Sequence, residues 1–312
     1  MLNNILDKVN KKILLPFWRI YIYISYFLYS KQKRGLAAEI KINLLDEISH
    51  IDKAIHGNIR WQSFVKTFKE NIENKNVYSF LNWKIIRDTM FCYPHIDELS
   101  YLKRHDWKKW GPLAREDAFG KPPPFPTLFR SSGNRIHHLY HIARFEEMSN
   151  QNINDYDIIL EFGGGYGSMC RLIYNAGFKG TYIIYDFPEF NALQRTYLNE
   201  TKRSTSVKRI FFSDNINDTL KQLKNGSKVL FVGMWSISET DINFRNKFLS
   251  QIQTYVDTYF IAYQTNFSNI NNEEFFSKLK LTNTDFSWKT LPMLDKIITK
   301  NYYLIGKRNE KK

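Results

Sequence analysis

A chain of 312 residues with 43% hydrophobic residues can hold a catalytic-size domain and a helical partner region, and it is too apolar to be disordered. With 45 Lys and Arg against 31 Asp and Glu, the formal net charge of +14 favours acidic partners: nucleic acid, an anionic membrane surface or a phosphorylated substrate. A merely solvated lysine surface is the competing explanation. The two cysteines, Cys92 and Cys170, lack metal-ligand spacing and form no disulfide framework, which points to a reducing, cytoplasmic setting.

From Lys8 to Ala38 there is no acidic residue, while Lys8, Lys11, Lys12, Arg19, Lys31, Lys33 and Arg34 are basic. Between these cations runs an apolar, aromatic stretch from Ile13 to Tyr29, at the short limit for crossing a bilayer and interrupted by Pro16 and Arg19. Aromatic residues flanked by cations suit a membrane interface, so residues 8–34 read as an ordinary packed helix, as a peripheral anchor at the inner face of the cytoplasmic membrane, or as a true span.

Helical spacing follows: Ile40, Leu44, Leu45, Ile48, Ile51 and Ile55, then Trp61, Phe64, Val65, Phe68 and Ile72, then a third segment from Val77 to Phe91. These stripes read as core. From Arg104 to Arg135 the run of Gly111, Pro112, Gly120, Pro122, Pro123, Pro124 and Pro126 predicts a long irregular loop. Its retained aromatics (Trp107, Trp110, Phe119, Phe125 and Phe129) suggest a lid or binding loop. A helix carrying His137, His138 and His141 comes next. The polar break at Asn150–Asp155 sets the expected boundary between a helical region, 1–150, and a catalytic domain, 151–312.

The pattern then alternates strand and helix. Ile158–Phe162 is a short apolar strand, followed by a Gly-rich turn and a helix ended by Gly177 and Gly180. Thr181–Tyr185, Ile210–Phe212, Val229–Val232 and Tyr259–Tyr263 are further strands, with helices over Leu193–Leu198 and Phe244–Tyr255. Two late strands, Phe286–Leu291 and Tyr302–Ile305, are close enough to pair as a hairpin. Such alternation implies an α/β fold, a mostly parallel sheet with helices on both faces.

The chemistry centres on the first strand-to-helix turn, Gly163-Gly164-Gly165-Tyr166-Gly167. Glycines let the backbone turn sharply and approach a ligand, and Asp186, ending the second strand, is placed to accept both hydroxyls of a ribose. A dinucleotide site wants G-x-G-x-x-G, but the sixth position counted from Gly163 is Ser168.

The spacing present, Glu161-x-Gly163-x-Gly165-x-Gly167, resembles the E/D-x-G-x-G-x-G signature of class I methyltransferases. Taken with Tyr185-Asp186-Phe187-Pro188-Glu189 and Trp235-Ser236-Ile237-Ser238-Glu239, it looks like the sugar O-methyltransferases associated with bacterial surface polysaccharides, over about Ile158 to Tyr263. The resemblance implies a Rossmann-like fold with a seven-stranded, mostly parallel sheet behind a helical N-terminal region. It also implies S-adenosyl-L-methionine as cofactor and a sugar or glycan acceptor, phosphorylated or lipid-linked.

In that reading Glu161 fixes the loop, and Gly163, Gly164, Gly165, Tyr166 and Gly167 line the methionine side. Asp186 holds the ribose, Phe187 covers the adenine, Ser213 and Asp214 meet the adenine edge, and Trp235 or Tyr166 faces the sulfonium. The acceptor's base would be Glu239 first, then His141 or His138. No metal site is expected. The alternatives are a methyltransferase acting on RNA, which the net charge favours but no RNA module or N-P-P-Y-type motif supports, one acting on another small molecule, an NAD-binding protein, and a non-catalytic scaffold.

Overall fold

The computed structural model describes residues 34–51, 59–90, 92–201, 209–293 and 300–310. The basic, aromatic segment 8–34 therefore lies outside the described residues except for Arg34. These residues form two compact units that interleave in sequence. One takes 34–51, Phe64–Ala143 and 195–201; the other takes 59–63, Arg144–Gln194, 209–293 and 300–310.

The second unit is built on a seven-stranded sheet. Its strands are β1 (Ile158–Phe162), β2 (Thr181–Tyr185), β3 (Ile210–Ser213), β4 (Val229–Met234), β5 (Thr258–Gln264), β6 (Phe286–Pro292) and β7 (Asn301–Arg308). The order is β3-β2-β1-β4-β5-β7-β6. The first five strands are mutually parallel, whereas β7 runs antiparallel between β5 and β6, so the expected late hairpin closes one edge. This is the α/β, Rossmann-like architecture that the resemblance implied.

Parallel strands covered on both faces read as unbroken apolar runs, and β1 is buried at all five positions. One face of the sheet carries Ile158, Leu160, Phe162, Ile183, Phe231 and Ile261. It packs on Phe248, Leu249 and Ile252 of the helix Ile242–Ile252 and on Phe276 of the helix Asn272–Thr282. The alternate residues Ile159, Ile184, Leu230, Val232 and Phe260 are equally buried on the other face, where the Phe145 ring lies 5.0 Å from that of Phe260. The covering helices start where side chains can cap them: Asp241 accepts from the N–H groups of Asn243 and Phe244, and Asn271 from that of Glu274.

The first unit is helical: Arg34–Ser49, 64–74 of the helix Ile59–Asn74, a 3-10 turn over Val77–Asn82, Lys84–Thr89, Ile96–Leu113 and 133–143. The segment expected as one helix from Val77 breaks at Trp83, whose extended backbone separates the 3-10 turn from the short helix. The expected loop from Arg104 is also corrected, since helix continues to Leu113. Its kink is at Asp106 (φ 149°), whose carboxylate caps the second segment by accepting from the Lys109 N–H. Pro112 falls inside the last turn, where it gives up one backbone donor.

The prolines beyond it leave room for a two-stranded ribbon, Pro124–Phe125 against Leu128–Ser132. Three aromatics of this stretch belong to the core rather than to a lid. Trp110, Phe119 and Phe125 are buried, and the Phe119 ring sits 5.2 Å from Tyr78 and 5.7 Å from Phe80.

Candidate functional site

The carboxyl ends of β1, β2, β3 and β4 bring the glycine turn, Asp186, Ser213 and the Ser236–Glu239 turn to one edge of the sheet. Gly163 takes φ +74°, and a Cβ there would lie 2.3 Å from the Ser236 Cβ, so no other residue fits. Ser236 in turn donates its hydroxyl to the Phe162 carbonyl. The turn after β4 is thus locked onto the turn after β1. Gly167, at φ +92°, starts the helix Ser168–Asn175.

Glu161 is buried beneath the loop, where its Oε2 accepts from the Tyr182 hydroxyl at 2.9 Å. Burial pushes this carboxyl up to about 8. The folded chain therefore holds a proton that the unfolded chain, with an ordinary carboxyl near 4.5, releases. Stability from this group is complete below about 4.5 and is lost as pH rises through 8. Asp186, also raised, acts with the same sign at lower pH. Glu161→Gln cannot ionise, so denaturant unfolding of that variant is expected to show a shallower loss of stability from acid to alkaline pH than the parent chain. An unchanged slope would refute the assignment.

Asp186 follows β2. Its Oδ1 accepts from the Phe187 N–H at 2.8 Å and its Oδ2 from the Gln194 side-chain amide at 2.7 Å, with added support from the N–H groups of Gly165 and Gly164. Burial outweighs these donors and raises the carboxyl to about 7. Gln194 also donates to the Gly165 carbonyl at 3.0 Å, tying acid to loop.

Three buried polar atoms around this point lack a hydrogen-bond partner among the described residues: Ser168 Oγ, Asn191 Oδ1 and Gln194 Oε1. Buried polar atoms are ordinarily satisfied, so the cluster is suited to a polar ligand carrying hydroxyl or amino donors. The nucleoside end of an S-adenosyl group meets that requirement, and each oxygen of Asp186 accepts more than one hydrogen bond. Sequence reasoning missed Gln194 and Asn191. Their only signal is position, eight and five residues after Asp186 on the following helix.

Ser213 is largely structural, because its hydroxyl donates to the Asn215 carbonyl and accepts from the Asn215 N–H. Its own carbonyl receives the Asp186 N–H at 3.0 Å. Asp214, beside it, is half-buried. Tyr166 is 1% exposed. Trp235 holds φ +66°, a left-handed conformation that an aromatic residue rarely adopts, with its N–H bound to the Ala262 carbonyl at 2.9 Å.

Glu239 ends the turn Ser236–Glu239. It is half-buried, and burial raises its carboxyl to about 7 against the opposing pull of the Arg60 charge and of hydrogen bonds from the Gln264 and Trp61 side chains. Arg245, fully buried, secures this turn. Its Nη2 donates to the carbonyls of Ser238 (2.8 Å) and Thr240 (2.9 Å), and its Nη1 to Asn272 Oδ1 (2.8 Å).

Trp61, expected in a core stripe, instead reaches this site. Its indole bonds Glu239, and its ring stacks on Phe187 at 6.3 Å and 28°. Residues 59–63 belong to the same unit as the sheet, so Asp186, Phe187, Trp61, Glu239, Ser236 and Gly163 make one continuous rim.

His138 and His141 belong to the helical unit. His141 is wholly buried, its Nε2 lying 2.9 Å from that of His137, and burial together with that neighbour pushes both His138 and His141 well below the usual imidazole range. Among the described residues, no group of three or more His, Cys, Asp or Glu is placed to hold a metal ion, and no helix is long and apolar enough to cross a membrane.

No family model and no curated protein matches this chain. Solved structures similar to it include the magnesium protoporphyrin IX methyltransferase of Synechocystis PCC 6803 with bound SAM. It is 12% identical with TM-score 0.42, over 68% of this chain and 97% of that one. An SAH-bound methyltransferase of Podospora anserina is 10% identical with TM-score 0.39, over 83% and 100%. The mitomycin 7-O-methyltransferase is 10% identical with TM-score 0.38, over 72% and 70%.

Proposed function

We propose that this chain is an S-adenosylmethionine-dependent methyltransferase that methylates a sugar hydroxyl. The observation that carries the reading is the continuous rim. A glycine turn, a ribose-competent acid with unsatisfied polar atoms around it, and a carboxyl titrating near neutrality lie along one sheet edge.

The cofactor, when bound, supplies a methyl carbon made electrophilic by the adjoining sulfonium. The loop 163–167 lines its methionine portion, and Asp186 accepts from its ribose hydroxyls. Glu239 takes the proton of the acceptor hydroxyl onto a carboxylate oxygen, a task suited to a group whose pKa lies near the working pH. Gln264 donates to that carboxyl at 3.4 Å, and Arg245 fixes the turn that carries it by donating to the Ser238 carbonyl. Aligning acceptor oxygen with methyl carbon is the remaining requirement, and the fixed turns on either side serve it.

The acceptor class rests on the resemblance of Asp186-Phe187-Pro188-Glu189 and Ser236-Ile237-Ser238-Glu239 to the sugar O-methyltransferases. The cationic, aromatic segment 8–34 supports a lipid-linked acceptor at the inner membrane face, and the charge of +14 supports a phosphorylated one.

Incubation with radiolabelled S-adenosylmethionine and separate fractions of nucleotide sugars, lipid-linked glycans and RNA tests the reading. Label in either sugar fraction is expected, and the fraction labelled distinguishes a soluble acceptor from a membrane-bound one. Label in RNA alone, or in none of the fractions, overturns the sugar reading.

A further inference from the structure

Gln194 stands between the two halves of the candidate cofactor site. It is wholly buried on the helix Pro188–Glu200, which follows Asp186 directly. Its Nε2 carries two hydrogens, and both have partners: the Gly165 carbonyl at 3.0 Å and Asp186 Oδ2 at 2.7 Å. The first lies in the turn that lines the methionine portion, the second on the acid that accepts from the ribose. A backbone carbonyl only accepts, so the amide cannot be turned about, and Oε1 is the end left over. That oxygen is buried without a hydrogen-bond partner among the described residues, the state of a group that a ligand completes.

The glycine turn rests directly on this amide. A Cβ at Gly164 would lie 3.2 Å from Gln194 Nε2, 3.2 Å from Glu161 Oε2 and 2.6 Å from Ile184 Cγ2, so the bare glycine lets the loop sit over both side chains. Asn191, one turn earlier on the same helix, is placed differently. Its Nδ2 donates at 3.3 Å to the backbone carbonyl of Asp186, not to the carboxylate.

An amide N–H donated to a carboxylate favours the ionised acid. Two ribose hydroxyls need that form, because a protonated carboxyl turns one of its oxygens into a donor. The second hydrogen of the same amide fixes the Gly165 carbonyl. One side chain therefore sets both the state of the acid and the position of the loop.

We propose that Gln194 is a positioning residue of the cofactor site, holding Asp186 as an acceptor for the ribose and tying it to the Gly165 turn so that ribose and methionine contacts form together. The inference rests on the reading of this sheet edge as the S-adenosylmethionine site. Burial raises the Asp186 carboxyl to about 7, and the Gln194 amide pulls it the other way. Without the amide, burial is less opposed and the carboxyl moves further up, so affinity is lost from a higher pH downward. The titratable groups acting on this acid from the neighbouring strands are Glu161 on β1 and Tyr185 on β2, and changes at position 194 leave both in place.

Calorimetry of S-adenosylhomocysteine binding between about pH 6 and about pH 8.5, on the full chain and on Gln194→Met, tests the proposal. Methionine keeps the length of glutamine and donates no hydrogen bond. The variant is expected to bind more weakly at every pH, and its deficit relative to the parent to grow about tenfold from the alkaline to the acid end, the equivalent of one pKa unit at Asp186. Lost packing alone gives a deficit that does not vary with pH. Asn191→Ala, which removes only a bond to the Asp186 backbone, supplies that reference. Gln194→Leu repeats the measurement if thermal unfolding shows that Gln194→Met does not fold. A parent chain that binds S-adenosylhomocysteine, with folded Gln194 variants that bind as tightly or with a deficit independent of pH, overturns this inference alone. A parent chain that binds neither S-adenosylhomocysteine nor S-adenosylmethionine overturns the cofactor reading and this inference with it.

Discussion

Asp186→Ala is expected to weaken S-adenosylmethionine binding by roughly 2–4 kcal/mol, about 30- to 1,000-fold, because two charge-assisted hydrogen bonds to the ribose disappear. Isothermal calorimetry measures it. The carboxylate also holds the Gln194 amide and the Phe187 N–H, so Asp186→Asn serves as the companion variant that keeps shape and loses charge. The pH dependence follows from the same carboxyl, raised by burial to about 7. Below that value it is protonated and a poorer acceptor, so affinity should fall as pH drops through 7. Affinity in Asp186→Ala that matches the parent chain would remove the ribose assignment.

Glu239→Gln is expected to lower turnover by about 10²- to 10⁴-fold, the usual contribution of a positioned base, while leaving cofactor affinity unchanged. With S-adenosylmethionine held saturating at every pH, so that the Asp186 effect on affinity drops out, turnover of the parent chain should rise with pH and level off above about 7, where burial has placed the Glu239 carboxyl; in the glutamine variant this limb should vanish. Single-turnover transfer of labelled methyl to the acceptor, measured across pH, checks both. His141→Ala is the comparison: its imidazole is pushed well below its usual range and is a weak base, so a profile governed by Glu239 should survive that change. Turnover of Glu239→Gln equal to that of the parent would leave alignment alone as the source of rate.

The features written in the sequence were those with short-range causes. Unbroken apolar runs such as Ile158–Phe162 can satisfy their burial only inside a covered sheet. A glycine at 163, held at φ +74° against Ser236, marks a sharp turn at the end of that strand. The position of Asp186 after the second strand follows from the same periodicity. Where local and tertiary demands diverged, the local signal misled. Pro112 and Gly111 suggested a loop, yet the helix Ile96–Leu113 runs through both before it ends. Phe119 and Phe125 suggested a lid, yet both fill the core of the helical unit.

What the sequence determined by itself, then, was the architecture of the sheet and the place of the glycine turn after its first strand, because both are encoded in neighbouring residues. Only the tertiary structure decided which distant side chains complete the site. Trp61 stood in an ordinary helical stripe, and its partnership with Glu239 and Phe187 spans far too much chain for any periodicity to reveal. Gln194 joined the site only because helix geometry returns it beneath Asp186 and Gly165. The protonation of Glu161, Asp186 and Glu239 was likewise invisible beforehand, since it depends on how deeply folding buries each carboxylate and which donors it then meets.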